Sequence, residues 1–469
     1  MRENRAKREL LQDDGSLGLL LMIWLYRAVM LVIMMAGVCK FGAMPIKLMS
    51  QDCLVVLSAY MIILIILQEI YRACEIGQAR VSELVMSQVL ANTISIGAIY
   101  LGVSLYVHQL FNPAHLLVTA TVQALVGILW SVLSNRHYFK HRRKPRTVVL
   151  CQDESEYRLL QLTPHFFEKY DVRQVITAPE ADIEALRPRL NDCEAIFVVN
   201  IPATQANGLA KLCLEMGIKG YFTPRLGHII MAGAEHRANF SVPLLRIQRA
   251  GGHSEYRFFK RMFDIVSSAI GLIVLSPVML ATAIAIWAED HGPVFYRQVR
   301  LTKKGREFKI LKFRSMTVNA EKDGVARLAG QNDSRITKVG RFIRACRIDE
   351  LPQLINIFLG DMSVVGPRPE RPEIAKQYEE TLPEFSLRLQ VKAGLTGLAQ
   401  VYGRYNTEPY HKLQMDLMYI ANPSMWEDLK IILVTIYVLF AKGSTEGVQV
   451  DQVTALGGDE QKADEEKSA

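Results

Sequence analysis

Three arginines spaced three residues apart, Arg341, Arg344 and Arg347, lead into two adjacent carboxylates, Asp349 and Glu350. Carboxylates so placed can bind Mg²⁺ and leave one oxygen to attack an electrophile, so both residues are read as catalytic groups and as metal ligands. Pro352 disfavours a continuing helix but suits the first turn of a new one. Asp349 is therefore expected at or near a helix amino terminus, a favourable place for a phosphoryl group. A surface acidic pair capped by arginines would show the same pattern.

Cations that could meet a phosphorylated substrate stand in nearby strings. Lys312 and Arg314 lie two apart in KFRSM, which reads as a strand, so both side chains can reach one face and grip a diphosphate. Arg368 is enclosed by Pro367 and Pro369 in GDMSVVGPRPERP, where the prolines restrict the backbone on either side of it. Arg404 ends KAGLTGLAQVYGR, whose glycines allow close turns. Each string alone fits a structural loop. Their accumulation beside one unusual apolar segment favours a single site.

That segment, Ile265 to Trp287, is long enough to cross a bilayer but carries Ser276 and Pro277 in its middle, where proline removes a backbone bond. Lys260 and Arg261 precede it, and Arg297, Arg300, Lys303 and Lys304 follow. Positive charge on both flanks predicts a re-entrant helix hairpin over residues 264–287, bent at Ser276-Pro277, with both ends in the cytoplasm. A plain kinked fifth span is the alternative.

Upstream, the apolar stretches Leu17 to Cys39, Leu54 to Leu67, Leu84 to Val107 and Leu116 to Leu133 predict a four-helix transmembrane bundle within residues 1–140. Lys and Arg gather before the first, between the second and third, and after the fourth, which makes those loops cytoplasmic; Lys40 and Lys47 are a mild exception. The run after MRENRAKREL is too long for a cleavable signal and is expected to stay as an anchor. Arg27, inside the first stretch, fits helix packing or snorkelling better than function.

Residues 145–249 alternate short strands and helices: TVVLC, Ala181 to Leu190, AIFVVN, LAKLCLEMGI and KGYF. That is the pattern of a Rossmann-like α/β domain with a parallel sheet. The first strand runs into CQDESEY without the glycine turn a dinucleotide needs, so regulation or assembly is expected of this domain rather than cofactor binding. Ala250 to Gly252 read as a linker, residues 253–442 as a mostly α-helical catalytic domain, and residues 443–469 as a disordered tail. Leu429 to Phe440 fits an interfacial or a buried core helix.

Half of the residues are hydrophobic and the mean hydropathy is +0.13, high for a wholly soluble protein. The net charge of +8 is concentrated, with eighteen Lys and Arg against eight acids between Arg257 and Asp349. A segment so basic could serve anionic lipid, a phosphorylated substrate or nucleic acid. The seven cysteines show no zinc-pair spacing, and neither a metal site nor a disulfide framework is expected of them.

Taken together, KRMFD, GPVFYRQVR, KFRSM, RIDELPQLINIFLGDMSVVGPRPE and GLTGLAQVYGR resemble the bacterial sugar transferase family, the monotopic polyprenyl-phosphate phosphoglycosyl transferases, from about Phe258 to Phe440. The first half resembles the family's larger members in organisation only. The resemblance implies that Asp349 is the nucleophile, attacking the sugar-bearing phosphate of a UDP-sugar and releasing UMP before undecaprenyl phosphate takes the phosphosugar. It implies that Glu350 assists with Mg²⁺ and that Arg344 lies near bound phosphate. Ala393 departs from the proline usual in the family's version of that loop.

A glucose or galactose 1-phosphate for an exopolysaccharide or capsule would follow from the same resemblance. So would a multi-pass protein of the bacterial inner (plasma) membrane with a cytoplasmic catalytic domain, surrounded by membrane lipids, with a homodimer left open and no nucleic acid among its partners. Two rivals stand beside this reading. A glycosyltransferase acting on a lipid-linked acceptor would release UDP, and a non-catalytic membrane scaffold would not need Asp349 and Glu350 among arginines.

Overall fold

The computed structural model describes residues 2–39, 51–77, 81–110, 112, 114–141, 144–161, 166–177, 183–237, 244–247, 254–317, 335–403 and 408–440. The expected linker and tail lie outside the described residues. The chain divides into two compact units, residues 1–223 and 224–469.

In the first unit α1 (Arg2–Cys39), α2 (Gln51–Ile70), α3 (Val81–Val107) and α4 (Ala114–His141) pack each against the next, and α1 closes on α4. Leu21, Leu25, Leu125 and Leu129 face outward while Gln68, Gln88, Asn92 and Gln123 are buried. This inversion suits a bilayer, where apolar burial between helices gains little and hydrogen bonds with close packing join them. Tyr60 donates to Gln123 at 3.0 Å, and Asn92 donates to the Tyr26 hydroxyl at 3.1 Å. Arg27 donates through Nε to Gln68 at 2.9 Å, near the end of α2, so it serves helix packing. Among the described residues five helices are long and apolar enough to cross a membrane, these four and Ser254–Asp290.

The same unit carries a parallel sheet in the order β2-β1-β3-β4, made of β1 (Arg146–Cys151), β2 (Asp171–Thr177), β3 (Ala195–Val199) and β4 (Lys219–Phe222). The apolar runs of β1 and β3 bury with Leu209 and Leu212 of helix Ala203–Met216, which ends on Gly217 in the left-handed conformation at φ 66°.

Helix Leu226–Ala232 falls in the second unit, where Ile229 is buried with Leu413, Leu417 and Ile431. The sequence pattern had assigned these residues to the α/β domain. The second unit is mostly helical and contains the antiparallel hairpin Phe295–Leu301 with Glu307–Phe313, and the short parallel pair Ser363–Val365 with Gly394–Thr396.

Ser254–Asp290 is one helix that continues through Pro277. At the Ser276-Pro277 step, where a bend is expected, Ser276 Oγ donates to the Ile273 carbonyl at 2.7 Å. Both ends of this helix are tied to the second unit. Lys260 pairs with Asp428 at 2.8 Å, and Asp264 accepts from Ser363 Oγ and Val364 N, each at 3.0 Å. At the far end Glu289 accepts from the backbone of Lys338 at 2.8 Å, and Asp290 pairs with Arg314. Helix Met425–Phe440 buries Asp428, Ile431 and Val434 and exposes Trp426 and Leu429, so it is a core helix on one face.

Candidate active site

Asp349 and Glu350 share the 3-10 turn Ile348–Glu350, between helices Lys338–Ala345 and Gln353–Leu359. Arg347 enters the turn at φ 57°, a left-handed conformation that costs a non-glycine residue about 1–3 kcal/mol. Ile348 anchors it against Phe313, Ile343 and Ile286. The helix proper begins at Gln353, so Asp349 lies just ahead of its amino terminus. Left-handed Arg347 and Pro352 together account for the extra turn.

Glu350 is where the cations converge. Its Oε1 accepts from Lys312 Nζ at 3.1 Å and Arg368 Nη2 at 2.9 Å, with Arg347 Nη1 at 3.9 Å. Burial alone would raise its pKa, but Arg368, Lys312 and Arg347 outweigh burial and hold the carboxyl well below the usual range. Lys312 is itself lowered, by burial first, with Arg368 and Arg300 adding to it against the pull of Glu350 and Asp349.

Asp349 moves the opposite way. Burial, then the neighbouring Glu350, raise its pKa, and Lys312, Arg344 and Arg347 only partly offset them. Its Oδ1 is buried and has no hydrogen-bond partner. Two adjacent carboxyls are thus pushed apart in character, one neutralised by cations and one left with an unsatisfied oxygen.

Mg²⁺ is held by oxygens and usually combines one or two carboxylates with substrate phosphates and water. Among the described residues no three His, Cys, Asp or Glu side chains form a cage. Asp349 Oδ1 fits as one oxygen ligand, while Glu350 Oε1 is already engaged by cations. The residues therefore suit an ion shared with a substrate diphosphate.

Arg344, in the last turn of its helix, acts on Asp349 through charge. Arg314 does not join Lys312 at Glu350. The strand ends at Phe313, so its alternation stops before Arg314, which is buried and pairs with Asp290. Arg404 lies outside the described residues. Arg300, which the sequence offers only as a charge flanking the apolar segment, lines a cleft with Lys312, Gln353, Arg368, Pro369 and Gly394. It donates to Gln298 Oε1 and, through Nη1, to the Pro369 carbonyl at 3.0 Å. Burial, with Arg368 and Arg371 nearby, pushes its pKa down to about 10 despite Glu370.

Glycines bring the Arg368 loop close to its neighbour: a Cβ on Gly394 would lie 2.1 Å from Gly366 N. Ala393 donates its N–H to Thr302 Oγ1 at 3.2 Å, a bond that a proline there could not make. Behind the loop, Glu370 Oε1 sits 3.2 Å from Lys412 and 3.4 Å from Arg388. Burial would raise Glu370, but Lys412, Arg388 and Arg300 bring it from 4.5 to about 2. Its folded pKa lies below the unfolded one, so its stabilisation is full above pH 4.5 and is lost as pH falls towards about 2. We expect the melting temperature to fall across that window. Glu370→Gln should start lower at pH 7 and fall less, and an unchanged acid drop in the variant would assign it to other carboxylates.

The bacterial sugar transferase family profile matches residues 255–442. A UDP-glucose:undecaprenyl-phosphate glucose-1-phosphate transferase of Caulobacter vibrioides is 43% identical over 182 residues, 38% of this chain and 68% of that protein. A Klebsiella pneumoniae protein of the same name is 45% identical over 191 residues, 40% of this chain and 41% of its own length. A UDP-N-acetylgalactosamine-undecaprenyl-phosphate N-acetylgalactosaminephosphotransferase of Aeromonas hydrophila is 44% identical over 184 residues, 39% of this chain and 43% of that protein. The chain thus spans less than half the length of two of these relatives. The fold of the second unit and its carboxylate pair fit this match, and the chain belongs to the bacterial sugar transferase family.

Proposed function

We propose that this chain transfers a hexose 1-phosphate from a UDP-sugar to undecaprenyl phosphate and releases UMP. The observation that carries the reading is the unpartnered, buried Oδ1 of Asp349 beside a Glu350 fixed by cations. A carboxylate oxygen of Asp349 attacks the phosphorus bearing the sugar, and the bond from that phosphorus to the bridging oxygen of UMP breaks, with the electron pair leaving on UMP. An oxygen of the lipid phosphate then attacks the same phosphorus and expels the Asp349 carboxylate. Arg344 faces the donor's phosphates, while Lys312 and Arg368 hold Glu350 in place. When bound, Mg²⁺ held by Asp349, Glu350 and the donor's phosphates would neutralise charge developing on the diphosphate.

The relatives' names carry glucose and N-acetylgalactosamine. We favour glucose or galactose and place the reaction at the first membrane step of an exopolysaccharide or capsule, on the cytoplasmic face of the inner membrane. A panel of UDP-sugars offered with undecaprenyl phosphate should release UMP with one of them. Release of UDP would instead identify an ordinary glycosyltransferase.

The contacts at both ends of helix Ser254–Asp290 support a helix that enters and leaves on one side, since a crossing would separate Lys260 from Arg314 by the bilayer. In a chain whose own cysteines are replaced by serine, Arg257→Cys and Arg297→Cys should both be labelled from the cytoplasmic side only. Labelling of residue 297 from the periplasm would establish a crossing.

A further inference from the structure

Arg368 reaches Glu350 from a loop whose backbone is held at every carbonyl. Those of Pro367, Arg368, Pro369 and Glu370 accept hydrogen bonds from Gly394 N at 2.9 Å, Arg388 Nη2 at 3.0 Å, Arg300 Nη1 at 3.0 Å and Leu301 N at 3.0 Å. Arg388 is 3% exposed, and its fork is fully committed. Nε and Nη2 meet Asp416 Oδ2 at 2.9 and 2.7 Å, Nη1 lies 3.4 Å from Glu370, and the guanidinium sits 4.8 Å from the Phe385 ring. Asp416 is buried on helix Pro409–Ala421.

A buried ion pair is a weak way to stabilise a fold, because desolvation offsets attraction. What it adds here is direction: a planar fork fixed on two carboxylates delivers one further bond to a chosen carbonyl. We propose that Arg388, seated on Asp416 and Glu370, is a positioning residue that sets the Arg368 guanidinium on Glu350 and so controls the environment of Asp349. This rests on the phosphosugar-transfer reading.

The test is a double-mutant cycle on the full chain in lipid, read by UMP release. Arg388→Lys keeps the charge but not the fork, and should lower kcat/KM about a hundredfold, as loss of positioning does. In an Arg368→Ala background the same change should cost less than about twofold, because its route is already gone. Equal losses in both backgrounds, the signature of a merely structural role, would overturn the proposal.

If Arg388→Lys does not fold, Asp416→Asn, nearly the same in volume, is put through the same cycle with the same outcomes. A wild-type chain that releases no UMP would count against the transfer reading alone. Phenylglyoxal modification mapped by mass spectrometry then decides the positioning claim without activity: labelling of Arg368 should rise several-fold in the variant, and unchanged labelling refutes it.

Discussion

Asp349→Asn is expected to abolish UMP release, a loss of about 10⁴-fold or more of the kind that follows removal of a nucleophile. Asparagine keeps the shape of the side chain and lacks the anionic oxygen. Labelled phosphosugar should therefore stay on the wild-type protein when undecaprenyl phosphate is withheld, and never appear on the variant. Two half-reactions on one carboxylate also require ping-pong kinetics.

Stability gives the same substitution an independent reading. Burial and Glu350 raise the Asp349 pKa above its unfolded value, so ionising it costs stability as pH rises from the unfolded pKa through the folded one. The variant should melt above wild type at pH 7 and lose that advantage in acid. Label found on Glu350 would reverse the assignment. UMP release only after both substrates bind would replace the covalent route by direct attack of the lipid phosphate.

The parts of this chain that were legible in its sequence are those with a local signature. Four apolar stretches gave four helices, because a bilayer demands about 20 apolar residues in succession whatever their neighbours. TVVLC and AIFVVN gave β1 and β3, which are buried on a parallel sheet. Strand β2, DVRQVIT, went unread because it lies at the sheet edge with half-exposed and exposed residues along most of its length. Helix Leu226–Ala232 reads as one more apolar α/β element, and only its partners Leu413 and Leu417 assign it to the second unit.

The site shows the same division. Arg344, Asp349 and Glu350 announce themselves by spacing, and Lys312 by its place in a strand. Arg314 obeyed the same alternation on paper but fell one residue beyond the strand's end. Pro277 reads as a bend because it lacks an N–H; helical residues continue on both sides of it, with Leu272, Leu275, Met279 and Ala283 packed against the body of the unit. Arg388 and Asp416 carry no pattern at all. A lone arginine and a lone aspartate within amphipathic segments look solvated until tertiary packing buries them together.

Glu350→Gln should fail in a different way from Asp349→Asn, and the difference tests what the cluster of cations is for. Glutamine keeps the volume and can accept a hydrogen bond, but it leaves Lys312, Arg347 and Arg368 without their shared negative charge. Removing one partner of a buried pair costs roughly 3–5 kcal/mol. With Arg347 34% and Arg368 40% exposed, water screens part of that, and about 2 kcal/mol is the expected loss. The freed cations have one carboxylate left to approach, Asp349, whose unpartnered Oδ1 they would satisfy. A carboxylate so neutralised is a poor nucleophile, so UMP release should fall about 10³-fold while the attacking atom remains. Slow labelling of Asp349 over long incubation should therefore survive in Glu350→Gln, in contrast to Asp349→Asn. Adding Lys312→Met should restore part of the lost stability, since one stranded cation is gone, and none of the activity. If Glu350→Gln instead melts like wild type and is nonetheless inactive, the carboxylate serves metal or substrate alone, and its ion pairs with Lys312 and Arg368 are not what holds the site.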